Sequence, residues 1–491
     1  MEGNDRPIVR ALVRVRQHIA RMGTSRRFIV SFLAGLVVLG AMRIPAVNRS
    51  MFGQPDREMM QSAFKMRADL IRKGDPAMLI DVDDQTISSV GSASGPPRAP
   101  SATAPRGVIA DTLDYIRTAP GGKGARAVIV DVDFATPTPG DEAGAAKLHK
   151  VLQDWGHTPT APPLILARQA FPDSVLGGDG SSIVLPATDF DDVVVPAPNI
   201  FWSQVKMMAD QDGVVREFLP YECVKNPGGS PVLYSAVLLA YGFLQDGKIP
   251  PGSPAQRWLD KAKTDCAKPQ AEAASHGELI NYHLSLGKGE NSRVWPDLPP
   301  DWKGFANCGP GADHAVFRRI SAADVVAAGQ NASHDLLCGR LVIVGGTNAV
   351  AADFEQTPLN EMAGPMIIAN SVRGLELSDG GLKRVPLWIQ LTTLLVVSSA
   401  ITYGFLVTGR IREHYLNLRT RHRGRHFLIR LRLLPFNPVV LNWAFAFAAH
   451  WTGIGLLLIS LDHGYWGYLS APAFASAAVG AMQEFADDEE D

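Results

Sequence analysis

Two stretches of this chain carry no charged residue at all: Val385 to Gly409 and Pro438 to Leu461. Each exceeds the ~20 residues a helix needs to cross the hydrocarbon core of a membrane. A third uncharged stretch, Gly464 to Gln483, is richer in Ala, Gly and Ser, and its Tyr465, Trp466 and Tyr468 suit an interfacial aromatic belt. Near the start, Phe28 to Met42 is apolar, and Ile44 to Val47 extend it past an Arg43 that can snorkel. A cleaved signal peptide also fits a basic start followed by a short apolar run, but no clean small-residue cleavage site follows. The expectation is therefore one N-terminal span at 28–46 and three C-terminal spans at 385–408, 438–461 and 464–483.

The formal charge of -2 conceals an asymmetry that orients these spans. Residues 1–27 hold seven arginines (Arg6, Arg10, Arg14, Arg16, Arg21, Arg26 and Arg27) against Glu2 and Asp5. Residues 409–437 hold eight arginines against Glu413, whereas residues 484–491 are acidic. Basic segments beside spans stay on the cytoplasmic side. Residues 1–27, the loop 409–437 and the tail 484–491 are thus expected in the cytoplasm, and residues 47–384 outside it. The basic loop is better explained by topology and anionic lipid than by nucleic acid. Cys223, Cys266, Cys308 and Cys338 all fall in the outside region, as disulfides would. Three pairings are open; Cys266 and Cys308 bracket a Pro-, Gly- and polar-rich insert, which favours that pair.

Within 47–384 strands and helices alternate. Met78 to Val82, Ala127 to Val132, Leu164 to Ala167 and Leu341 to Val344 read as strands. Residues 106–118, 141–154, 232–244 and 364–377 read as helices, and Met51 to Ile71 as a stalk leading from the first span. Such alternation predicts an α/β domain with a largely parallel or mixed sheet. Residues 245–315 form an irregular polar insert without periodicity.

The chemistry-bearing candidates are Asp81-Val82-Asp83 and Asp131-Val132-Asp133. Residues two apart on a strand share a face, and each pair follows an apolar run. Each pair is thus expected at the carboxyl end of a strand, the edge where open α/β sheets bind ligands. The carboxylates could hold a hard cation or a basic ligand, or simply cap the turns that follow. Arg106, Arg216 and Asp353 are further ligand-binding candidates. Apolar strands followed by Asp-x-Asp also suit haloacid-dehalogenase-type phosphatases. Both pairs miss that family's final position, however, with Thr86 and Thr136 one place late, and no convincing later lysine and acidic pair follows. No cofactor is called for, and the metal question stays open.

These residues carry a resemblance. Ile80-Asp81-Val82-Asp83-Asp84 with Ile87 and Gly91, Arg106, Ala127 to Asp131 with Phe134, and Asp212-Gly213-Val214-Val215-Arg216 occur in order. Leu341-Val342-Ile343-Val344-Gly345 follows, with Thr347, Asp353, Thr357-Pro358, Gly364 and Ala369-Asn370. The region resembles the type-two CHASE domain, an extracellular sensory module associated with bacterial cyclases and histidine kinases. The layout of one span before the domain and about three after it is also that family's. The family often has a histidine where this chain has Ile368. Relatives commonly carry a kinase or cyclase domain after the last span, whereas this sequence ends within about ten residues of it. The resemblance implies a sensor in a bacterial inner membrane, not an enzyme, answering an unknown small ligand and signalling in trans to a separate protein. A homodimer is compatible with that role. The alternative is an envelope structural or assembly protein that uses the same domain to bind another protein.

Overall fold

The structure is a computed structural model. It describes residues 24–41, 60–65, 77–87, 104–119, 124–134, 141–176, 182–210, 212–225, 231–267, 277–282, 317–328, 337–347, 354–396, 399, 459 and 465–466. The chain divides into two units, Phe64–Leu382 and the combination of Met1–Ala63 with Lys383–Asp491.

The Phe64–Leu382 unit is built on six strands: β1 (Ala77–Asp81), β2 (Ala127–Asp131), β3 (Leu164–Ala167), β4 (Ile200–Ser203), β5 (Phe317–Ser321) and β6 (Leu341–Gly345). They form one sheet in the order β5-β1-β6-β2-β3-β4, and every pairing is parallel. The expected α/β architecture is thus present, with a sheet that is parallel throughout. Its inner strands are apolar without interruption because helices cover both faces. Met78, Ile80, Val128, Val130, Val342 and Val344 are fully buried in one core with Ile109 and Leu113 of α1 (Arg106–Arg117) and Leu148 and Leu152 of α2 (Glu142–Gly156). The alternate residues Leu79, Ile129, Ile165 and Ile343 are equally buried on the opposite face. There α3 (Ala236–Asp246) packs on β2 and β3. Each such aliphatic side chain contributes roughly 1.5–3 kcal/mol.

An accessory part sits beside the sheet. Met207–Ala209, Val215–Phe218 and Glu278–Leu279 form a three-stranded antiparallel sheet, and Tyr221–Cys223 pairs with Val232–Tyr234. Within the insert expected to be irregular, Pro254–Cys266 is a helix, α4. Its lack of strong apolar periodicity reflects an exposed polar face; only Ala255 and Ala262 are buried. The favoured disulfide is also corrected. Cys223 bonds Cys266, with Cα atoms 5.3 Å apart, because Cys266 ends α4 where that helix packs on the Tyr221–Cys223 hairpin. Cys338 is disulfide-bonded as well; Cys308 lies outside the described residues. The short helix α5 (Ala322–Ala328) follows β5, and α6 (Gly364–Leu377) closes the unit.

In the other unit Thr24–Ala41 is helical and exposes Ile29, Leu33 and Val37. Residues 387–396 are helical and expose Leu387, Trp388, Leu395 and Val396. Among the described residues no helix is long and apolar enough to cross a membrane. The expected spans at 438–461 and 464–483 lie almost wholly outside those residues, as do parts of 28–46 and 385–408 and most of the stalk.

Candidate functional site

The sheet order creates a switch point. The chain runs from β1 through α1 to β2 and leaves a gap that β6 later fills, while β5 is added on the far side of β1. The carboxyl ends of four strands therefore meet in one row: Ser321, Asp81, Gly345 and Asp131 are neighbours in register. Ligand crevices of open α/β sheets form at this place.

Asp81 is fully buried at the centre of the row. One carboxylate oxygen accepts the Thr347 backbone N–H at 2.8 Å. The other accepts the Arg319 Nε–H at 2.6 Å and the Thr347 hydroxyl. Burial pushes the Asp81 carboxyl above its ordinary range, and the bonds from Thr347 and the charge of Arg319 offset only part of that. Asp83, one face-period further on, accepts from the Thr86 backbone N–H at 2.8 Å, the Thr86 hydroxyl at 2.7 Å and the Ser321 hydroxyl at 3.0 Å. It also lies 3.5 Å from Arg319 Nη2. Asp83 thus caps residues 84–87, the role Asp takes at a helix start. Thr86 passes the network on by accepting the Ala323 N–H at the start of α5, at 3.1 Å.

Gly345 joins this row to α6. A Cβ there would stand 2.8 Å from Pro365 Cγ and 3.3 Å from Asp131 Cβ, so only glycine lets the first turn of α6 close over the strand end. Further along α6, the buried Asn370 amide donates to the Met366 carbonyl at 3.2 Å. The Thr357 hydroxyl donates to the Asn360 carbonyl at 2.6 Å and tightens the preceding hairpin. Of these motif residues Gly345 seats the helix on the strand, Asn370 bonds within α6 and Thr357 bonds within the hairpin.

The remaining candidates separate. Asp131 ends β2 and Asp133 follows it, and Asp133 faces Arg106 together with Asp189 and Asp141. Arg106 is buried, with its guanidinium over the rings of Phe190 at 5.0 Å and Phe134 at 5.8 Å. Arg216 lies away from the edge, bonded to Asp210 at 2.9 Å and to both oxygens of Asp212 at 2.8 and 2.9 Å. The Asp212-Gly213-Val214-Val215-Arg216 motif is in this sense a pinned turn. Asp353 lies outside the described residues. Two residues escaped the sequence reading. Arg319 gives Asp81 its counter-charge; its signal was the Arg318-Arg319 pair set between Phe317 and Ile320. Arg168, directly after β3, is buried, pairs with Asp191 at 2.8 Å and stacks over Trp202 at 4.9 Å.

Among the described residues no three of His, Cys, Asp and Glu are grouped to hold a metal ion. The cation that Asp81 meets is the Arg319 guanidinium. Both oxygens of Asp81 are engaged by hydrogen bonds within the fold.

The family model of the CHASE2 domain matches residues 33–405, about three-quarters of the chain. The chain belongs to the CHASE2 domain family. No curated protein and no solved structure matches it. CHASE2 is a family of sensory extracellular domains, consistent with a sensory role on the outer side of a membrane. The Asp81-Val82-Asp83 strand end, the β2 strand end and Gly345 with Thr347 all lie within the matched residues.

Proposed function

We propose that this CHASE2 protein is a membrane-anchored extracytoplasmic sensor that detects an environmental cue and signals in trans to a separate protein. The observation that carries the reading is the switch-point row. Asp81, under-compensated in a buried position, shares one strand edge with Gly345, and Gly345 is seated against Pro365 of α6. A cue that rearranges Thr347 or Arg319 would favour one seating of α6 over another, which is the unequal binding a switch requires. The sequence leads from α6 into the apolar stretch beginning at Val385, which we assign as a span of an inner-membrane protein whose domain faces the periplasm. The Arg-rich segment 409–437 is then the cytoplasmic surface offered to the output partner.

Crosslinking the full-length protein in native membranes, followed by affinity purification and mass spectrometry, tests this. Recovery of a kinase, cyclase or other signalling enzyme is the expected result. Recovery of envelope-assembly proteins alone would move the weight to a scaffold role. The site residues are tested separately, by asking whether Asp81→Asn changes the yield of the recovered partner.

A further inference from the structure

The turn through which the sensory unit ends is held by α4. Downstream of α6 the chain passes through Asp379, Gly380 and Gly381, all in the left-handed half of backbone space with φ of 51°, 92° and 132°. The Gly380 carbonyl accepts the Trp258 indole N–H of α4 at 3.3 Å. A Cβ on Gly380 would stand 2.3 Å from Pro254 Cβ, the first residue of α4. The amino-terminal half of α4 is therefore fitted to this exit turn, and the turn lies only a few residues before Val385 in sequence.

The other end of α4 is anchored elsewhere. Cys266, its last residue, is bonded to Cys223 of the hairpin, and Asp265 accepts the Tyr221 hydroxyl at 2.7 Å. Trp258 packs in the same small cluster as Tyr221, Val232, Ala262 and both cysteines. One helix of 13 residues thus spans from a disulfide-closed hairpin to the exit turn. Cys223 and Cys266 are half-buried rather than sealed in the core. A disulfide outside the sealed core is within reach of thiol–disulfide exchange.

We propose that α4 is a redox-conditional strut for the exit turn: with the Cys223–Cys266 bond closed, α4 holds Asp379–Gly381 in place, and with it open the turn is released. The inference rests on the sensor reading, because it names the element through which that unit governs its exit. In the opening step a dithiol reductant supplies two electrons and two protons. The S–S bond breaks, two thiols form, and the reductant becomes a disulfide. The released α4 keeps its small apolar cluster, its packing on α3, the Tyr221–Asp265 hydrogen bond and the indole hydrogen bond, but loses its one covalent tie to the hairpin.

Amide hydrogen exchange on the full-length protein in lipid nanodiscs tests this, comparing wild type with Cys223→Ser/Cys266→Ser and with Trp258→Phe. The double variant removes this bond without touching the disulfide of Cys338. Exchange at 378–382 should rise about tenfold or more in the double variant, and less in Trp258→Phe, while 127–131 in β2 stays protected. An unchanged rate at 378–382, or an equal rise in β2, overturns the strut. Trp258→Phe keeps the disulfide and so tests the seating of α4 on the turn by itself. Wild type treated with a dithiol reductant tests the bond if the double variant folds poorly: no rise at 378–382 in either overturns the strut. The readout needs neither ligand nor partner, so its failure is distinguishable from failure of trans signalling.

Discussion

Asp81 and Arg216 are both buried charges near strand ends, yet the two regions around them resolve burial in opposite ways. At the switch point, burial of Asp81 outweighs Thr347 and Arg319, and the carboxyl is pushed above its usual range. In the accessory sheet, burial also works against Arg216, but Asp212 and Asp210 together outweigh it and hold the guanidinium more firmly charged. A charge left under-compensated at the carboxyl edge of a parallel sheet is a candidate for function; one over-compensated in a turn is a fastening. The parallel edge is held by apolar strands with one buried polar row. The accessory part, with less apolar core of its own, is held by a disulfide and ion pairs.

Four changes sharpen that contrast. The largest is removal of the Cys223–Cys266 bond. It closes a loop with a sequence separation of 43, so its loss should cost about 4 kcal/mol on the loop-entropy scale. Denaturant melts should show the accessory part opening first; simultaneous opening of the parallel sheet would break the contrast. Arg319→Met comes next, at about 3 kcal/mol, the low end for a buried pair because Arg319 is one-fifth exposed. Its pH dependence is diagnostic. A carboxyl whose folded pKa is raised favours the fold in acid and weighs against it as pH rises through the folded value. Losing Arg319 raises that value further. The variant should therefore be closest to wild type at low pH, where Asp81 is protonated, and show its loss progressively as pH rises through the raised folded value. A pH-independent loss in melts would show that Asp81 is not the group concerned.

Gly345→Ala should cost about 2 kcal/mol, since Pro365 must move to admit a Cβ. The same variant should raise hydrogen exchange in the first turn of α6, and unaltered exchange there would contradict the seating of the helix on the strand. Smallest is Asp212→Asn, about 0.5–1 kcal/mol. Asp212 is 42% exposed and solvent-screened, and Asp210 keeps its bond to Arg216. A loss as large as that of Arg319→Met would erase the distinction between the two regions.

How much of this could be read from the sequence differs between the same regions. β1, β2, β3 and β6 announce themselves as apolar runs because both faces are covered, and Asp81 and Asp131 do end strands as their spacing requires. β4 and β5 are the sheet edges. β4 is only four residues long and Arg318-Arg319 interrupts the apolar pattern of β5, so neither stands out as a strand. The partner of Asp81 was missed for that reason, since a pairing across 238 positions leaves no local trace. The accessory part is the least legible. α4 exposes one polar face, and the proximity of Cys223 and Cys266 arises only from helix-on-hairpin packing, which no spacing of cysteines encodes. Arg216 was legible as a motif but not as a structural clamp, because the sequence alone does not show that Asp210 and Asp212 fold back upon it.

The most direct test of the sensor account is the crosslinked-partner yield from native membranes, measured for wild type, Asp81→Asn and Asp212→Asn at equal protein level. The account predicts that a cytoplasmic signalling protein is recovered with wild type, and that its yield changes by about fivefold or more in Asp81→Asn. Asp212→Asn should leave the yield as it is. Equal yields from all three proteins, or recovery of envelope-assembly proteins alone, would contradict it.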